Sequence, residues 1–484
     1  MRNTGDLHLI RNAKVVREKG GGGEDSLSII VLGASGDLSK KKTFPSLWNL
    51  YMEGLLPTNT KIFGLARANY THDEFRAFMS QNIIVNQSMA SKLEQFKSLC
   101  YYSVTSVYSS EKLSAFYGNY LSHNPTNQLF YLALPPNLFV NVSSAIKQGA
   151  LSPDGWNRII IEKPFGSDLE SYQKLDNDLA EIFAENQMYR IDHYLGKEMV
   201  QNLMRLRFDN LFFSNIWNKD FIKAVYITMD ETFGTEGRGG YFDSYGIIRD
   251  ILQNHLTQIL SIIAMETPAS LSPEDVRNAK VEVLKFVPEV EIKNVVLGQY
   301  VADADNKNPG YLDDPGVPKD SKTPTFARAV LYVQNERWQG VPFILRAAKA
   351  VSSKKVEIRV QFENQQNNLF GDSAQNELVI TVQPKESITL TLSSKHPGYS
   401  TSSVQLPLSV SYANQFPGVY IPDAYDRLIL DAIRGDHSLF VRSDELHVSW
   451  KIWSPVLHLI DSKSPDIEIH SYPFGSDGPQ INQS

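Results

Sequence analysis

Short apolar runs alternate with helical segments through the first 190 residues, and this alternation constrains the fold more than any other feature. Ser28–Leu32 is a continuous apolar run, typical of a strand buried on both faces. The segment after it repeats apolar residues at helical spacing, namely Phe44, Leu47, Trp48 and Tyr51. Four further runs are predicted strands: Lys61–Leu65, Leu129–Leu134, Arg158–Ile161 and Gln187–Ile191. Strands that alternate with helices predict a doubly wound, parallel α/β domain.

The second half of the chain follows a different pattern. Residues 356–361 alternate apolar and polar side chains, as expected for a strand with one buried face. Five other segments read as strands with few helices between them: Ala224–Thr228, Val281–Phe286, Ala327–Val333, Leu378–Val382 and Ile388–Leu392. This half is therefore predicted to be an α+β domain with a large, mainly antiparallel sheet and its helices gathered on one side.

The 484 residues suit two or three domains. We predict a disordered tail over residues 1–26, which includes the run Gly20–Gly23, and domains over residues 27–192 and 193–484. The tail contains acidic as well as basic residues, whereas organellar transit peptides are poor in acids. This favours a cytosolic protein over an organellar one, although plastid targeting stays open.

Composition excludes several classes of function. The net charge of −7 and the pI near 5.9 argue against a nucleic-acid partner bound through a basic field. No apolar stretch reaches the roughly 18–20 residues of a membrane span. Cys100 is the single cysteine, so an intrachain disulfide and a four-cysteine metal site are both excluded, and no metal site is predicted.

A glycine-containing turn follows the first predicted strand. Gly33 and Gly36 stand between strand and helix, where backbone N–H groups can approach a pyrophosphate. The spacing G-x-x-G departs from the usual dinucleotide fingerprint, so a plain tight turn is an equal alternative. The second strand is followed by Arg67 instead of the acid that commonly holds the ribose of NAD. A guanidinium there suits the 2′-phosphate of NADP, although an isolated arginine is more often a surface residue.

Two further segments concentrate polar chemistry. Lys163 directly follows a buried strand, where open α/β sheets bind ligands, and residues 190–198 form a dense polar run at the domain junction. In a predicted helix over residues 245–265, helical spacing places Asp250 on a polar stripe and His255 among isoleucines. Such a histidine is usually a core residue, but beside a carboxylate it would be a general base.

The motifs GASGDLSKKK, EKPFG, RIDHYLGKE, GTEGRGGYFDSYGIIRD, QNHL, GVPFILRAAKA and VRSDEL occur in this order between Leu27 and Ile460. Together they resemble the glucose-6-phosphate dehydrogenase family, and the segments TFPSLWNLY and PDAYDRLILD are most similar to plant cytosolic members. The resemblance implies a Rossmann-like coenzyme domain, a substrate and oligomerisation domain, and a substrate site between them. It also implies oxidation of β-D-glucose 6-phosphate at C1 to 6-phosphogluconolactone with NADP, the first step of the oxidative pentose phosphate pathway.

The resemblance assigns roles to individual residues. It implies that His255 is the catalytic base and that Asp192 orients and stabilises its imidazolium. The substrate contacts that it implies come from Lys163, His193, Tyr194, Lys197, Glu231, Asp250, Lys349, Lys354 and Gln383. The implied coenzyme contacts are Gly33, Ser35, Gly36, Asp37, Leu38, Lys42, Arg67, Glu162 and Lys163.

The sequence departs from the family at several positions. Lys354 replaces a frequent arginine, and Phe139 replaces a tyrosine near the coenzyme. Many eukaryotic members bind a second, structural NADP, and Arg346, Lys355 and Arg359 match part of that basic pocket. Two other arginines of the pocket are Thr381 and Asp477 here. We therefore expect one NADP per chain.

Two alternatives to this activity remain at the level of sequence. A catalytically silent paralogue acting as a partner or regulatory subunit would be expected to lose the base or the phosphate contacts, and both are present. A dehydrogenase for another sugar phosphate or for a free hexose is the other alternative, and the phosphate contacts argue against the free sugar. By analogy with the family, the chain is expected to form a homodimer or homotetramer.

Overall fold

The computed structural model of the protein describes residues 26–105, 108–122, 127–364 and 375–480. The predicted N-terminal tail lies outside the described residues, apart from Ser26, which begins the first strand.

The first domain contains a six-stranded sheet in the order β3-β2-β1-β4-β5-β6, and all of its neighbouring strands are parallel. The strands are β1 Ser26–Leu32, β2 Asn59–Ala66, β3 Cys100–Val104, β4 Asn127–Leu132, β5 Asn157–Ile161 and β6 Met188–Arg190. The helices are α1 Phe44–Met52, α2 His72–Met79, α3 Ala90–Ser98, α4 Ser110–Phe116, α5 Phe139–Gly149 and α6 Leu169–Ala180. The predicted doubly wound α/β domain is confirmed. The sequence patterns did not predict strand β3, because this edge strand is only partly buried and has no continuous apolar run.

The second domain is built on a nine-stranded sheet in the order β14-β13-β12-β11-β7-β10-β9-β8-β15. Its strands are β7 Ile222–Asp230, β8 Val295–Val301, β9 Phe326–Tyr332, β10 Pro342–Ala348, β11 Lys355–Phe362, β12 Glu377–Gln383, β13 Ser387–Lys395, β14 Ser403–Ser411 and β15 Ile469–Pro473. The neighbouring strands are antiparallel except β7–β10 and β8–β15, so the sheet is mixed and mostly antiparallel. Alternate residues of β11 are buried, as predicted.

Helices of the second domain pack on the sheet and against the first domain. They are α7 Glu198–Phe208, α8 Leu211–Ile216, α9 Gly239–Asp243, α10 Thr257–Ala264, α11 Pro273–Lys285, α12 Tyr412–Gln415, α13 Ala424–Arg434 and α14 Ser443–Asp461. Short 3-10 segments are Gln87–Met89, Pro136–Leu138, Glu185–Gln187, His193–Gly196, Ile292–Asn294 and Tyr311–Asp313, and π-helical segments are Ser39–Thr43, Tyr117–Leu121 and Ile248–Leu256. Helix α13 contacts α1, and α14 contacts α6, so C-terminal helices join the two domains. Among the described residues, none of the helices combines the length and the apolar character needed to cross a bilayer.

The prediction of a strand at Val281–Phe286 was wrong, because these residues lie in or at the end of helix α11. The Ser272 hydroxyl accepts a hydrogen bond from the backbone N–H of Asp275, and Pro273 occupies the first turn. Both are helix start signals. The apolar run therefore belongs to a helix whose Val276, Val281 and Leu284 are buried at helical spacing.

The helix over residues 245–265 also differs from its prediction. Residues Ile248–Leu256 form a π-helix, in which each N–H bonds to the carbonyl five residues earlier. Asp250 and His255 are five residues apart and therefore lie on the same side of the helix. The α-helical spacing assumed in the prediction separated the polar stripe of Asp250 from His255, whereas the π-helical spacing lets Lys163 contact both side chains.

Candidate active site

His255 and Asp192 form a buried pair where the two domains meet. His255 Nδ1 lies 2.5 Å from Asp192 Oδ1, and the two residues are 2% and 3% exposed. The same carboxylate oxygen accepts a hydrogen bond from the backbone N–H of Tyr194 at 3.0 Å. Asp192 immediately precedes the 3-10 segment that begins at His193, so this second bond also caps that turn.

Lys163 contacts the other nitrogen of the same imidazole. Its Nζ lies 2.9 Å from His255 Nε2 and donates to the backbone carbonyl of Asp250 at 2.8 Å. An ammonium group only donates hydrogen bonds, so Nε2 is the acceptor and Nδ1 carries the proton toward Asp192. This arrangement keeps His255 neutral, with the electron pair of Nε2 directed at Lys163.

The charges around the pair shift its pKa values in a consistent way. Burial lowers the pKa of His255, Asp192 opposes this effect, and Lys163 reinforces it, so the pKa lies below its ordinary value. Burial alone would raise the pKa of Asp192, but the interactions with His255 and Lys163 outweigh it and lower the pKa. A neutral imidazole beside an ionised carboxylate is the state that a general base requires.

A second charged group stands beside this pair. Lys349, 7% exposed, donates to Glu231 Oε2 at 2.6 Å and lies 3.5 Å from Asp250 Oδ2. Burial lowers the pKa of Lys349, but Asp250 and Glu231 outweigh it and raise the pKa. Lys163, Asp250 and Lys349 line a cavity of about 330 Å³, so carboxylates and ammonium groups face the same space.

Basic side chains lie near His193, whose ring centroid is 4.6 Å from that of His255. Burial lowers the pKa of Lys197, and the nearby ammonium groups of Lys42 and Lys354 lower it further, while Asp423 opposes them. Lys42, Lys197 and Lys354 therefore lie close to one another, with Asp423 and Glu386 also nearby. Such a cluster is suited to a phosphate dianion.

The glycine turn after β1 has the backbone that its sequence predicts. Gly33 has a φ of +86°, and a Cβ at this position would lie 2.1 Å from the carbonyl oxygen of Ala133, so only glycine fits. Its N–H donates to the carbonyl of Leu65 at 2.9 Å and to the hydroxyl of Tyr108 at 3.1 Å. Gly33 therefore shapes the turn, and Ser35 and Gly36 face the open cavity beside it.

This second cavity has a volume of about 520 Å³ and includes Arg67, which is exposed at the end of β2. The combination of a strand-to-helix glycine turn with a basic side chain at the next strand fits a phosphorylated dinucleotide. Asp37 pairs with Lys41 at 2.8 Å on the exposed side of the turn, next to Leu38.

Other predicted site residues occupy supporting or peripheral positions. Glu162 is 6% exposed and accepts a hydrogen bond from the Tyr131 hydroxyl at 2.5 Å, and burial raises its pKa to about 7. Gln383 ends β12 and is paired in register with Val356, close to the exposed Lys354.

Three residues at the site were missed by the sequence reasoning. Tyr108 binds the glycine turn, but it follows the unpredicted strand β3, so no pattern pointed to it. Asp314 accepts hydrogen bonds from the backbone N–H groups of Gly237 and Gly239, which holds the loop that borders the 330 Å³ cavity. Asp423 caps α13 and pairs with Lys42 at 3.0 Å. Its position just before a helical run could have predicted the helix cap, but not the ion pair with Lys42.

The arrangement supports removal of a proton from a hydroxyl group placed at His255 Nε2. The ligand-type atoms of Asp192, His193 and His255 lie within 4.8 Å of one another, a spacing that a metal ion could also use. His255 Nδ1 and Asp192 Oδ1 are already hydrogen-bonded to each other, and this favours acid–base chemistry over a metal centre.

Family models match both halves of the chain. The model described as the NAD binding domain of glucose-6-phosphate dehydrogenase matches residues 30–202, and the model of the C-terminal domain of the same enzyme matches residues 204–484.

Individual relatives agree over most of the chain. The chain is 47% identical to glucose-6-phosphate 1-dehydrogenase of Dictyostelium discoideum, over 94% of this chain and 92% of the relative. It is 49% identical to the cytoplasmic glucose-6-phosphate 1-dehydrogenase 6 of Arabidopsis thaliana, over 97% and 93%. A solved glucose-6-phosphate dehydrogenase in complex with its substrate glucose-6-phosphate superposes with a TM-score of 0.90 at 42% identity, covering 96% of this chain and 97% of that one.

Proposed function

The chain belongs to the glucose-6-phosphate dehydrogenase family, and from this premise we propose that it oxidises D-glucose 6-phosphate at C1 to 6-phospho-D-glucono-1,5-lactone. The observation that carries the proposal is the hydrogen bond between His255 Nδ1 and Asp192 Oδ1, with Lys163 at the opposite nitrogen. The pair supplies a neutral base beside a cavity with charged walls.

His255 is proposed to remove the proton of the C1 hydroxyl. Its Nε2 accepts from Lys163 in the free enzyme, so the C1 hydroxyl takes the place of that ammonium group when substrate binds. As the proton reaches Nε2, Asp192 stabilises the new imidazolium through the bond at Nδ1. Lys163 stays beside the reacting oxygen, and its charge stabilises the developing negative charge there.

The remaining charged residues are proposed to hold the sugar. Glu231 and Asp250 accept hydrogen bonds from its hydroxyl groups, and Lys349, which lies 2.6 Å from Glu231 and 3.5 Å from Asp250, holds the two carboxylates side by side. The 6-phosphate binds the cluster of His193, Lys197 and neighbouring lysines, with Tyr194, Lys354 and Gln383 around it. Binding at both ends of the sugar fixes the position of C1 relative to His255.

NADP is the proposed coenzyme and is the hydride acceptor of the reaction. The cavity beside Gly33, Ser35 and Gly36 supports this assignment, because Gly33 leaves no room for a Cβ and Arg67 is exposed at the cavity wall. A guanidinium at this place favours the 2′-phosphate of NADP over the free hydroxyl of NAD.

A second copy of the chain is the proposed protein partner. The edge strand β14 and its neighbour β13 expose a group of apolar side chains: Leu392, Leu406, Leu408 and Val410, between 38% and 59% exposed. Such a patch on an open sheet is typical of an interface between subunits. Light scattering of the wild type and of Leu408→Lys tests this: a dimer or tetramer is expected for the first and a smaller species for the second.

The cytosol is the proposed location. Similarity to Arabidopsis relatives whose names describe them as cytoplasmic supports it. Fluorescence of a full-length fusion in plant cells tests it, and a plastid signal would contradict it.

The activity is tested by initial rates of NADP reduction with purified protein, followed at 340 nm. Glucose 6-phosphate is expected to be oxidised with a far higher kcat/KM than free glucose, because free glucose lacks the phosphate. No turnover with glucose 6-phosphate would favour a silent paralogue instead.

A further inference from the structure

A small cavity lies beside the His255–Asp192 pair and adjoins the 330 Å³ cavity, with which it shares Lys163, Pro164 and Arg249. Its volume of about 20 Å³ suits a single water molecule. Asp192 contributes to its wall, and so do Gln253, Asn254 and Gln258, which flank His255 in sequence. Much of the remaining wall is apolar, including Phe165 and Trp450.

Hydrogen bonds around this cavity are incomplete at two oxygen atoms. Asp192 Oδ2 and Gln258 Oε1 are both buried and have no hydrogen-bond partner among the residues that the structure describes. Asp192 Oδ1, in contrast, accepts from both His255 and Tyr194. Buried polar atoms nearly always find a partner, and an unpaired oxygen of a buried carboxylate is among the costliest exceptions.

The other two side-chain amides on the cavity wall already donate hydrogen bonds to protein atoms. Gln253 Nε2 donates to the hydroxyl of Ser449 at 3.3 Å, and Asn254 Nδ2 donates to the backbone carbonyl of Arg249 at 3.0 Å. The two unpaired atoms are both acceptors, and a water molecule is the smallest group that donates one hydrogen bond to each.

We propose that this cavity is a specific water site, and that Gln258 acts through the water as a positioning residue for the carboxylate of Asp192. The bridge fixes the plane of the carboxylate, so that Oδ1 stays directed at His255 Nδ1. If the amide of Gln258 is rotated by 180°, the same water accepts from its nitrogen and still donates to Asp192.

The inference rests on the proposed function, and Gln258→Met tests it. Methionine has a similar volume but cannot anchor the water. We expect kcat for glucose 6-phosphate to fall about tenfold, as for the loss of one buried hydrogen bond. KM should stay within about twofold of wild type, because the change affects the transition state more than ground-state binding.

The pH profile gives an independent readout. Without the water the plane of the carboxylate is no longer fixed, so the bond from Oδ1 to His255 Nδ1 weakens and Asp192 stabilises the imidazolium less. The acid limb of kcat/KM, which reports the free base, should therefore move to lower pH. A role in packing alone would not move it.

Gln253→Met is the matched control, since it removes an amide from the same cavity wall that already bonds to Ser449. Its kcat and acid limb should match wild type. Equal losses in both variants, or an unchanged kcat and acid limb in Gln258→Met, would overturn the inference, as would a high-resolution crystal structure without a water at Asp192 Oδ2. Failure of the proposed function itself would appear differently, as absence of turnover in wild type.

Discussion

Replacing Asp192 with asparagine isolates the charge of the carboxylate from its geometry. The asparagine Oδ1 can accept the same hydrogen bonds from His255 Nδ1 and Tyr194 N, and asparagine caps a helical turn as well as aspartate does. The free enzyme has a neutral His255, so folding should change little. The charge is missing only when the imidazolium forms.

The magnitude follows from the burial of the pair. Both residues are at most 3% exposed, so water cannot replace the lost charge. Removing one partner of a buried ion pair costs about 3–5 kcal/mol, which corresponds to roughly 10²- to 10⁴-fold in kcat. The pKa of His255 should fall further below its ordinary value, because Asp192 is what raises it.

The assay is the initial rate of NADP reduction across pH, with melting temperature as the control for folding. We expect kcat to collapse, KM for glucose 6-phosphate to change little, and the acid limb of kcat/KM to move to lower pH. A variant that keeps more than about a tenth of the wild-type kcat would refute the assignment of Asp192 as the charge partner.

The remaining predictions concern the ligands. Arg67→Ala should lower the preference for NADP over NAD about ten- to a hundredfold, since a charge-assisted contact is worth roughly 1.5–3 kcal/mol, and equal losses with both coenzymes would indicate a folding defect. Lys197→Ala should raise KM for glucose 6-phosphate far more than KM for free glucose, and parallel losses in steady-state kinetics would contradict a phosphate contact. Calorimetric titration of the Arg67 variant should reveal no second tight NADP site, because Arg359 is engaged by Glu357 and Glu377; a remaining site of micromolar affinity or better would refute this.

Much of the fold could be predicted from two periodicities in the sequence. Buried parallel strands such as β1 are continuous apolar runs, and β11 alternates, because one face meets the core and the other does not. The segment Val281–Phe286 was misassigned, because a short apolar run fits either a strand or a buried helix, and the helix start at Ser272 decides between them.

The site was harder to predict from periodicity. Nothing in local spacing announces a π-helix, yet this geometry places Asp250 and His255 on one side. Asp192 and His255 are 63 residues apart, so their contact depends on the packing of two domains. The resemblance to the family supplied that pairing, whereas Tyr108 and Asp314, which act through backbone contacts, needed the structure.

The central claim is that His255 is the base, and His255→Asn tests it most directly when turnover and binding are measured on one preparation. Asparagine keeps a polar group near Asp192 but cannot accept and hold a proton. We predict that kcat falls by several orders of magnitude, while calorimetry shows glucose 6-phosphate binding within a few-fold of wild type. A variant that turns over at a tenth or more of the wild-type rate would show that His255 is a core histidine and would contradict the account.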